Sequence, residues 1–461
     1  MNRYLGQDDT ICAIATPVGI GSIGVIRVSG TLSISVLSLV FRGTKTPAQF
    51  KSHTVHHGEI IDPSTNQIID EAIVLFMKGP RSYTGEDVVE IQSHGNPVLL
   101  QKILSALITC GARLAGPGEF TRRAFLAGKM DLAQAEAVME VIAAQSHSAQ
   151  AMAFNQLRGK LSKKIDAVRE DILSLLSHIE ASIDFTEQGI DLCSQEKIVA
   201  QIDKAHQYIT DLLSRYEEGK QIREGTSIVI IGRPNVGKSS ILNRLLGEDR
   251  AIVTPIPGTT RDTLEERLNL HGHLIKIVDT AGMRDTTDLI EKEGVRRGED
   301  ALKRADIALF VISASEPTHQ QDIALWEKIA CKKKIIVLNK IDLPLKTHMK
   351  TLQEKFLTAP IVSISATTGE GFSDLKNQLV ALTGAVSDRE PPLVALLRHK
   401  NALERAGLIL QRALQSAKEN APVEFLAADL REALDALGEI VGETTTDDIL
   451  NQIFNAFCIG K

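Results

Sequence analysis

The chain has 461 residues, 43% of them hydrophobic, a globular composition that fits roughly three domains of ordinary size. No apolar run approaches the ~20 residues that a membrane-spanning helix needs. The formal net charge of −6 excludes a broad polyelectrolyte mode of nucleic-acid binding and leaves room only for local basic patches.

The first ten residues, Met1 to Thr10, carry no apolar signal segment, which predicts a cytosolic chain. Five cysteines, Cys12, Cys110, Cys193, Cys331 and Cys458, are odd in number and lack CxxC spacing, which argues against a disulfide framework or a zinc site. Residues 1–120 are rich in turn signals and short β-like runs, such as Ile11–Ala15, Gly24–Val28 and Ala72–Phe76, and Leu99–Leu107 reads as a helix. That mixture predicts an α+β domain. From Gly118 to Arg233 there is no proline, and Asp131–Ile142 and Ile165–Ile183 carry apolar residues at helical spacing, so residues 121–223 read as all-α. Residues 224–386 alternate buried strands with turns, the texture of an α/β nucleotide-binding domain. Residues 387–461 are helical again, with Leu403, Leu408 and Leu410, then Phe425, Leu426, Leu430, Leu434 and Leu437 on their apolar faces. Neither helical part is self-sufficient in pattern. The economical reading is one discontinuous helical domain with the α/β domain inserted at closely spaced ends.

The inserted domain carries the sharpest signal. Gly232-Arg-Pro-Asn-Val-Gly-Lys-Ser239 follows the apolar Ser227–Ile231 and opens onto Ser240–Leu246, the strand, glycine turn and helix of a phosphate-binding loop. Its segment Asn235, Val236, Gly237, Lys238, Ser239 and Ser240 would wrap a polyphosphate. Lys238 would reach the β/γ-phosphates, and the Ser239 hydroxyl would bind Mg²⁺. Asp279-Thr280-Ala281-Gly282 follows Leu274–Val278; the aspartate would hold a Mg²⁺-bound water, and Gly282 would let a backbone N–H approach the γ-phosphate. Asn339-Lys340-Ile-Asp342 ends the strand Lys334–Leu338. Asp342 can accept both N1–H and the 2-amino group of guanine, which adenine cannot supply. Ser365-Ala366-Thr367 follows Ile361–Ile364 and suits a backbone contact to guanine O6. Four such elements in chain order make the ligand GTP or GDP.

Between the phosphate loop and Asp279 lies Thr254-Pro255-Ile256-Pro257-Gly258-Thr259-Thr260-Arg-Asp262, whose Thr260 is a natural second hydroxyl ligand for Mg²⁺. Asn235 adds an amide oxygen beside the phosphates, suited to a monovalent cation such as K⁺, with backbone carbonyls around Thr254, Ile256 and Thr259; as a plain turn residue it would also fit. The residue after Gly282 is Met283, which cannot align a water. Arg284, Asp285, Asp288, Glu291 and Glu293 are all close enough in sequence to do so.

End to end, the chain resembles the MnmE (TrmE) family of tRNA-modification GTPases. The resemblance rests on Ala15–Gly19, Arg27–Gly30, Tyr83–Asp87, His94-Gly95, Pro117–Leu126, Lys129–Leu132, Pro257–Asp262 and the terminal Phe457-Cys-Ile-Gly-Lys461. It implies a K⁺-dependent GTPase that works with a FAD-binding partner, MnmG, to place an aminomethyl-type group at C5 of the tRNA wobble uridine. It also implies an N-terminal domain with a folate-binding fold that carries a 5-formyl- or methylene-tetrahydrofolate and mediates homodimerisation. Arg27, Glu90, Lys129 and Lys461 would line the folate site, and Glu291 would position the attacking water. Cys458 lies in the terminal motif, where it is either a nucleophile or redox group or a small buried hydrophobe. A regulatory GTPase of the ribosome-assembly kind is the other class; binding of 5-formyl-tetrahydrofolate to residues 1–120 separates the two.

Overall fold

The computed structural model describes residues 9–184, 194–249, 266–278, 302, 305–329, 333–347, 352, 355–356, 359–383 and 390–461. The chain forms two compact units, one of Met1–Met139, Leu157–Asp166 and Asp435–Lys461, the other of Glu140–Gln156 and Ala167–Leu434.

The first unit is built on a seven-stranded sheet. Its strands are β1 (Ile11–Ile14), β2 (Ile23–Ser29), β3 (Phe41–Gly43), β4 (Thr54–Ile61), β5 (Ile68–Met77), β6 (Val88–His94) and β7 (Arg113–Leu114), in the spatial order β3-β4-β5-β6-β2-β1-β7. Pairing is antiparallel except for β7 on β1. Helices α1 (Ser33–Val40) and α2 (Pro97–Thr109) cover one face. There the alternate residues Cys12, Ile26, Val28, Val89 and Ile91 join Ile103 and Leu107 in the core, as the two-residue period of strands requires. The α2 start is fixed by Asn96, whose side chain accepts from Val98 N and Leu99 N, with Pro97 at the first helical position. The opposite face buries Ile11, Ala13, Ala115 and Phe120. Register places Arg27 across from Glu90 on β6 and from Ala13 on β1, so both charged side chains share that second face. The helix Asp447–Asn455 forms a separate cluster in the same unit, packing Leu450 and Phe454 on Leu132 and Ala135, joined by Phe457.

The second unit contains a six-stranded sheet of β8 (Thr226–Ile231), β9 (Glu266–Leu270), β10 (His273–Ile277), β11 (Ile307–Ser313), β12 (Lys333–Asn339) and β13 (Ile361–Ser363). The order is β13-β12-β11-β8-β10-β9, parallel apart from the edge strand β9. Helix α3 (Lys238–Asp249) and the helix Phe372–Thr383 cover one face with Ile241, Leu245, Leu375 and Leu379. The other face carries the aromatic group Phe310, Trp326 and Phe356. Strands buried on both sides explain the continuous apolar runs of β11 and β12. In the same unit the helix Leu397–Lys418 runs against Gln195–Ser214, with Gly407 next to Ile209. Arg215 donates to the Glu390 carbonyl at 2.8 Å, so the chain leaves the helical part and returns to it at neighbouring points. The architecture is multidomain: an α+β N-terminal domain, a discontinuous all-α domain and an inserted α/β phosphate-loop domain.

Candidate functional site

The phosphate loop joins β8 to α3, and its backbone is set by three residues. Asn235 takes a left-handed φ of 62°, which asparagine tolerates better than most residues. Gly237 has a φ of +97°, and a Cβ there would lie 2.2 Å from Asn339 Nδ2; only glycine fits. At Gly232 a Cβ would stand 2.4 Å from the Val311 carbonyl oxygen. The Lys238 ammonium is folded over the loop and donates to the Gly232 and Arg233 carbonyls at 3.0 and 2.8 Å. Ser239 lies in the first turn of α3, where the aligned N–H groups favour an anion. Arg233 ties the loop outward through Asp322 at 2.9 Å and Glu316 at 3.0 Å.

Asn339, fully buried at the end of β12, is the joint between phosphate and base sites. Its Nδ2 donates to the Val236 carbonyl (2.9 Å), and its Oδ1 accepts from Ala366 N (3.0 Å). Lys340 reaches back across the loop to the Asn235 carbonyl at 2.6 Å. Ser365 is buried, and its hydroxyl donates to Asp342 Oδ1 at 2.6 Å while accepting from Thr368 N at 3.1 Å. That hydroxyl holds the exposed Asp342 carboxylate in one orientation, a role the sequence reading did not give it. Asn235 through Ser240, Asn339, Lys340, Asp342 and Ser365–Thr367 are thus brought together. Thr254, Pro255, Ile256, Pro257, Gly258, Thr259, Thr260, Asp279, Thr280, Ala281, Gly282 and Glu291 lie outside the described residues.

A second constellation forms in the first unit. Arg27 and Glu90 pair at 2.9 Å, both largely buried. Arg27 also donates to the Gly460 carbonyl at 3.4 Å, and its guanidinium lies 5.3 Å from the Tyr83 ring centroid and 5.6 Å from that of Phe120. Pro117 bridges Ile459 in an antiparallel pair, and a Cβ on Gly460 (φ +99°) would stand 2.4 Å from the Ile14 carbonyl oxygen. The chain end is therefore seated on β1. Burial, aided by Arg27, holds the Lys461 amine below the usual lysine value, against the opposing pull of Glu90 and Cys458. Burial raises the Tyr83 phenol, opposed by its Thr121 hydrogen bond and by Arg27. Burial pushes the Cys12 thiol up to about 12, so Cys12 is no nucleophile at neutral pH. Lys129 stands apart on the surface, donating to the Pro80 carbonyl at 2.8 Å. Of the four folate candidates, Arg27, Glu90 and Lys461 converge. Tyr83 and Phe120, which frame Arg27, went unassigned by the sequence reading although both stand in quoted motifs.

A glycine-fitted phosphate loop, cross-braced to an exposed aspartate held for the guanine edge, defines a guanine-nucleotide-binding protein of the phosphate-loop class. Two family models match, the MnmE helical domain over residues 132–458 and the GTP-binding protein TrmE N-terminus over residues 10–129. The chain belongs to the MnmE family of tRNA modification GTPases. Among curated relatives, tRNA modification GTPase MnmE of Natranaerobius thermophilus is 45% identical across 98% of this chain and 100% of its own length. The Aquifex aeolicus protein of the same name is 44% identical across 98% of this chain and 100% of its own. A solved structure of an Aquifex aeolicus Era variant bound to GDP.AlF4- matches 40% of this chain and 67% of that one, at 27% identity and a TM-score of 0.28.

Proposed function

We propose that this chain hydrolyses GTP in a K⁺-dependent manner and couples hydrolysis to carboxymethylaminomethyl-type modification at C5 of the wobble uridine (U34) of tRNA. It acts in the cytosol as a homodimer together with a FAD-binding partner of the MnmG kind. Residues 1–120 form the folate-binding and dimerisation domain, 121–223 and 387–461 the two parts of the helical domain, and 224–386 the GTPase domain. The observation that carries the reading is the chain end seated beside Arg27 and Glu90, since it gives the α+β domain a charged, half-buried site of its own apart from the nucleotide site. Arg27 and Lys461 supply cationic partners for a folate glutamate tail, and Glu90 an acceptor for a pterin N–H. A tetrahydrofolate bound there supplies the one-carbon unit. Lys129, bonded at the surface to the Pro80 carbonyl, would have to leave that bond to join them, and Cys458, three residues from the end, brings a thiol near Lys461.

At the nucleotide site Lys238 neutralises the β/γ-phosphates, and the backbone N–H groups of Val236–Ser240 cradle them. Ser239 and Thr260 hold Mg²⁺, which offsets charge on the phosphate oxygens. The left-handed Gly237, packed against Asn339 with no room for a side chain, fixes the turn that leads into the N-terminus of α3 and supports the fit to a polyphosphate. Asn235, exposed on a left-handed turn, supplies an amide oxygen for K⁺ together with carbonyls of Thr254, Ile256 and Thr259. Glu291 orients the attacking water, positioning being what a dissociative phosphoryl transfer demands. The test is mass spectrometry of wobble uridines in a deletion strain complemented with this chain or with Arg27→Ala. The native chain should restore the C5 modification and the variant should not. Identical wobble uridines in the deletion and complemented strains would remove the reading.

A further inference from the structure

On the side of the nucleotide site away from the phosphates, the carbonyls of the loop after β13 converge on one side chain. Arg244, in the second turn of α3, donates through Nη1 to Ala366 O (3.2 Å) and Thr367 O (3.1 Å), and through Nη2 to Thr368 O (3.2 Å). Its Nε lies 3.4 Å from Glu248 Oε1, and its plane stands 5.5 Å from the Phe372 ring centroid. The loop is shaped to receive it. Gly369 has a φ of +93°, and a Cβ there would lie 2.1 Å from Arg244 Nη2, so a side chain is excluded both by conformation and by contact. The turn is closed by Gly369 N to Ser365 O at 2.9 Å and by Ser365 N to Glu370 O at 3.0 Å.

This leaves the loop gripped from two sides. Its carbonyl edge faces Arg244, and its amide edge faces Asn339, which accepts from Ala366 N. A peptide plane has one rotational freedom here; fixing three successive carbonyls fixes where the N–H groups between them point. Only a planar fork of donors can hold three carbonyls while lying on an aromatic ring. The arginine also sits on the helix that begins with Lys238 and Ser239, so base loop and phosphate loop share one rigid element.

We propose that Arg244 is a positioning residue for guanine selection: the Ala366 and Thr368 amides are taken up by Asn339 Oδ1 and the Ser365 hydroxyl, and the arginine, by holding the carbonyls on either side, sets the Thr367 N–H at the distance that reads O6 of the base. Asp342, oriented by Ser365, reads the other edge, N1–H and the 2-amino group. The inference rests on the guanine-nucleotide reading of the site. It separates the two halves of base recognition between different residues, and that separation can be measured.

Equilibrium binding of GDP, 6-thio-GDP and IDP to the full-length chain tests it. The sulfur analogue weakens the acceptor at position 6 while keeping the N1–H and 2-amino donors, and IDP lacks only the 2-amino group. Arg244→Ala should weaken GDP binding about tenfold, the scale of a half-exposed charged hydrogen-bonding group. Its preference for GDP over 6-thio-GDP should collapse toward one, while its preference for GDP over IDP stays at the native value. Arg244→Lys should recover part of the GDP affinity. Gly369→Ala, which pushes the loop off the guanidinium from the other side, should show the same signature and answers the question should Arg244→Ala fail to fold. Unchanged GDP affinity, or an equal fall for all three nucleotides, would overturn the proposal. A native chain indifferent among the three nucleotides would remove the guanine reading itself, and with it the proposal.

Discussion

Gly237→Ala tests whether the phosphate loop and the base site are one mechanical piece. The new methyl would sit 2.2 Å from Asn339 Nδ2, with no other atom outside Asn339 within 4 Å, so the clash has a single partner. Left-handed backbone costs a non-glycine residue about 1–2 kcal/mol. Displacing Asn339 breaks its bonds to the Val236 carbonyl and from Ala366 N; orphaning two buried groups costs about 1–3 kcal/mol each. Gly237→Ala should therefore cost roughly 3–8 kcal/mol of site integrity. Asn339→Ala alone should cost about 2–6 kcal/mol of it. In the Asn339→Ala background the methyl meets open space, so the double variant should be no worse than Gly237→Ala alone. GDP dissociation constants of the four proteins, read with a fluorescent GDP, give the coupling directly. We expect the double variant to bind within about fivefold of Gly237→Ala. Additive losses would show that Gly237 acts without Asn339 and would refute the argument.

Three further outcomes are expected. K⁺ should accelerate GTP hydrolysis strongly over Na⁺, and Asn235→Ala should abolish that difference while leaving GDP binding largely intact; equal rates of the native chain in KCl and NaCl would exclude a cation role for Asn235. Glu291→Ala should lower kcat by about 10²–10³ with GTP affinity little changed, and normal turnover would move the water-positioning group to another residue of 284–293. Burial pulls the Glu119 carboxyl upward, but its bonds from Arg113 and Gly116 N, with Arg123 beside it, win and hold it below its ordinary value of 4.5. A carboxyl depressed in the folded state stabilises above its unfolded pKa and loses that contribution as pH falls through the folded one. Glu119→Gln should thus lower the melting temperature at pH 7 and flatten the decline below about pH 4.5; a parallel acid decline in both proteins would contradict the ion cluster's role.

The nucleotide site was legible because each of its parts is contiguous. A strand, a turn and a helix start carry their geometry in eight residues, and Asn339–Asp342 or Ser365–Thr367 need only the strand before them. What the motifs could not show is the bracing between them. Nothing in the sequence pairs Ser365 with Asp342, or Asn339 with Val236 and Ala366, since those contacts depend on sheet order. Element boundaries moved little. The helix read at Leu99–Leu107 runs from Pro97 to Thr109, because Asn96 and Pro97 cap it earlier than its apolar period starts. The strand Ile307–Ser313 was passed over. It is buried on both faces and so shows no alternation, and unlike Lys334–Leu338 it leads into no nucleotide motif that would mark its end.

The N-terminal site marks the opposite limit. Arg27 and Gly460 are 433 residues apart and meet only in the fold, so no periodicity could join them; the family resemblance alone put Arg27, Glu90 and Lys461 on one site. The structure then separates the roles inside the terminal motif. Phe457 is core, packed with Leu132 and Phe454. Gly460 is there for backbone approach, since its positive φ and its closeness to the Ile14 carbonyl exclude any side chain. Lys461 brings its amine beside Arg27 and Glu90, where burial holds it below its usual basicity. The glycine and phenylalanine of this segment seat the chain end, and that seating is what sets Lys461 beside Arg27 and Glu90, residues from the other end of the sequence.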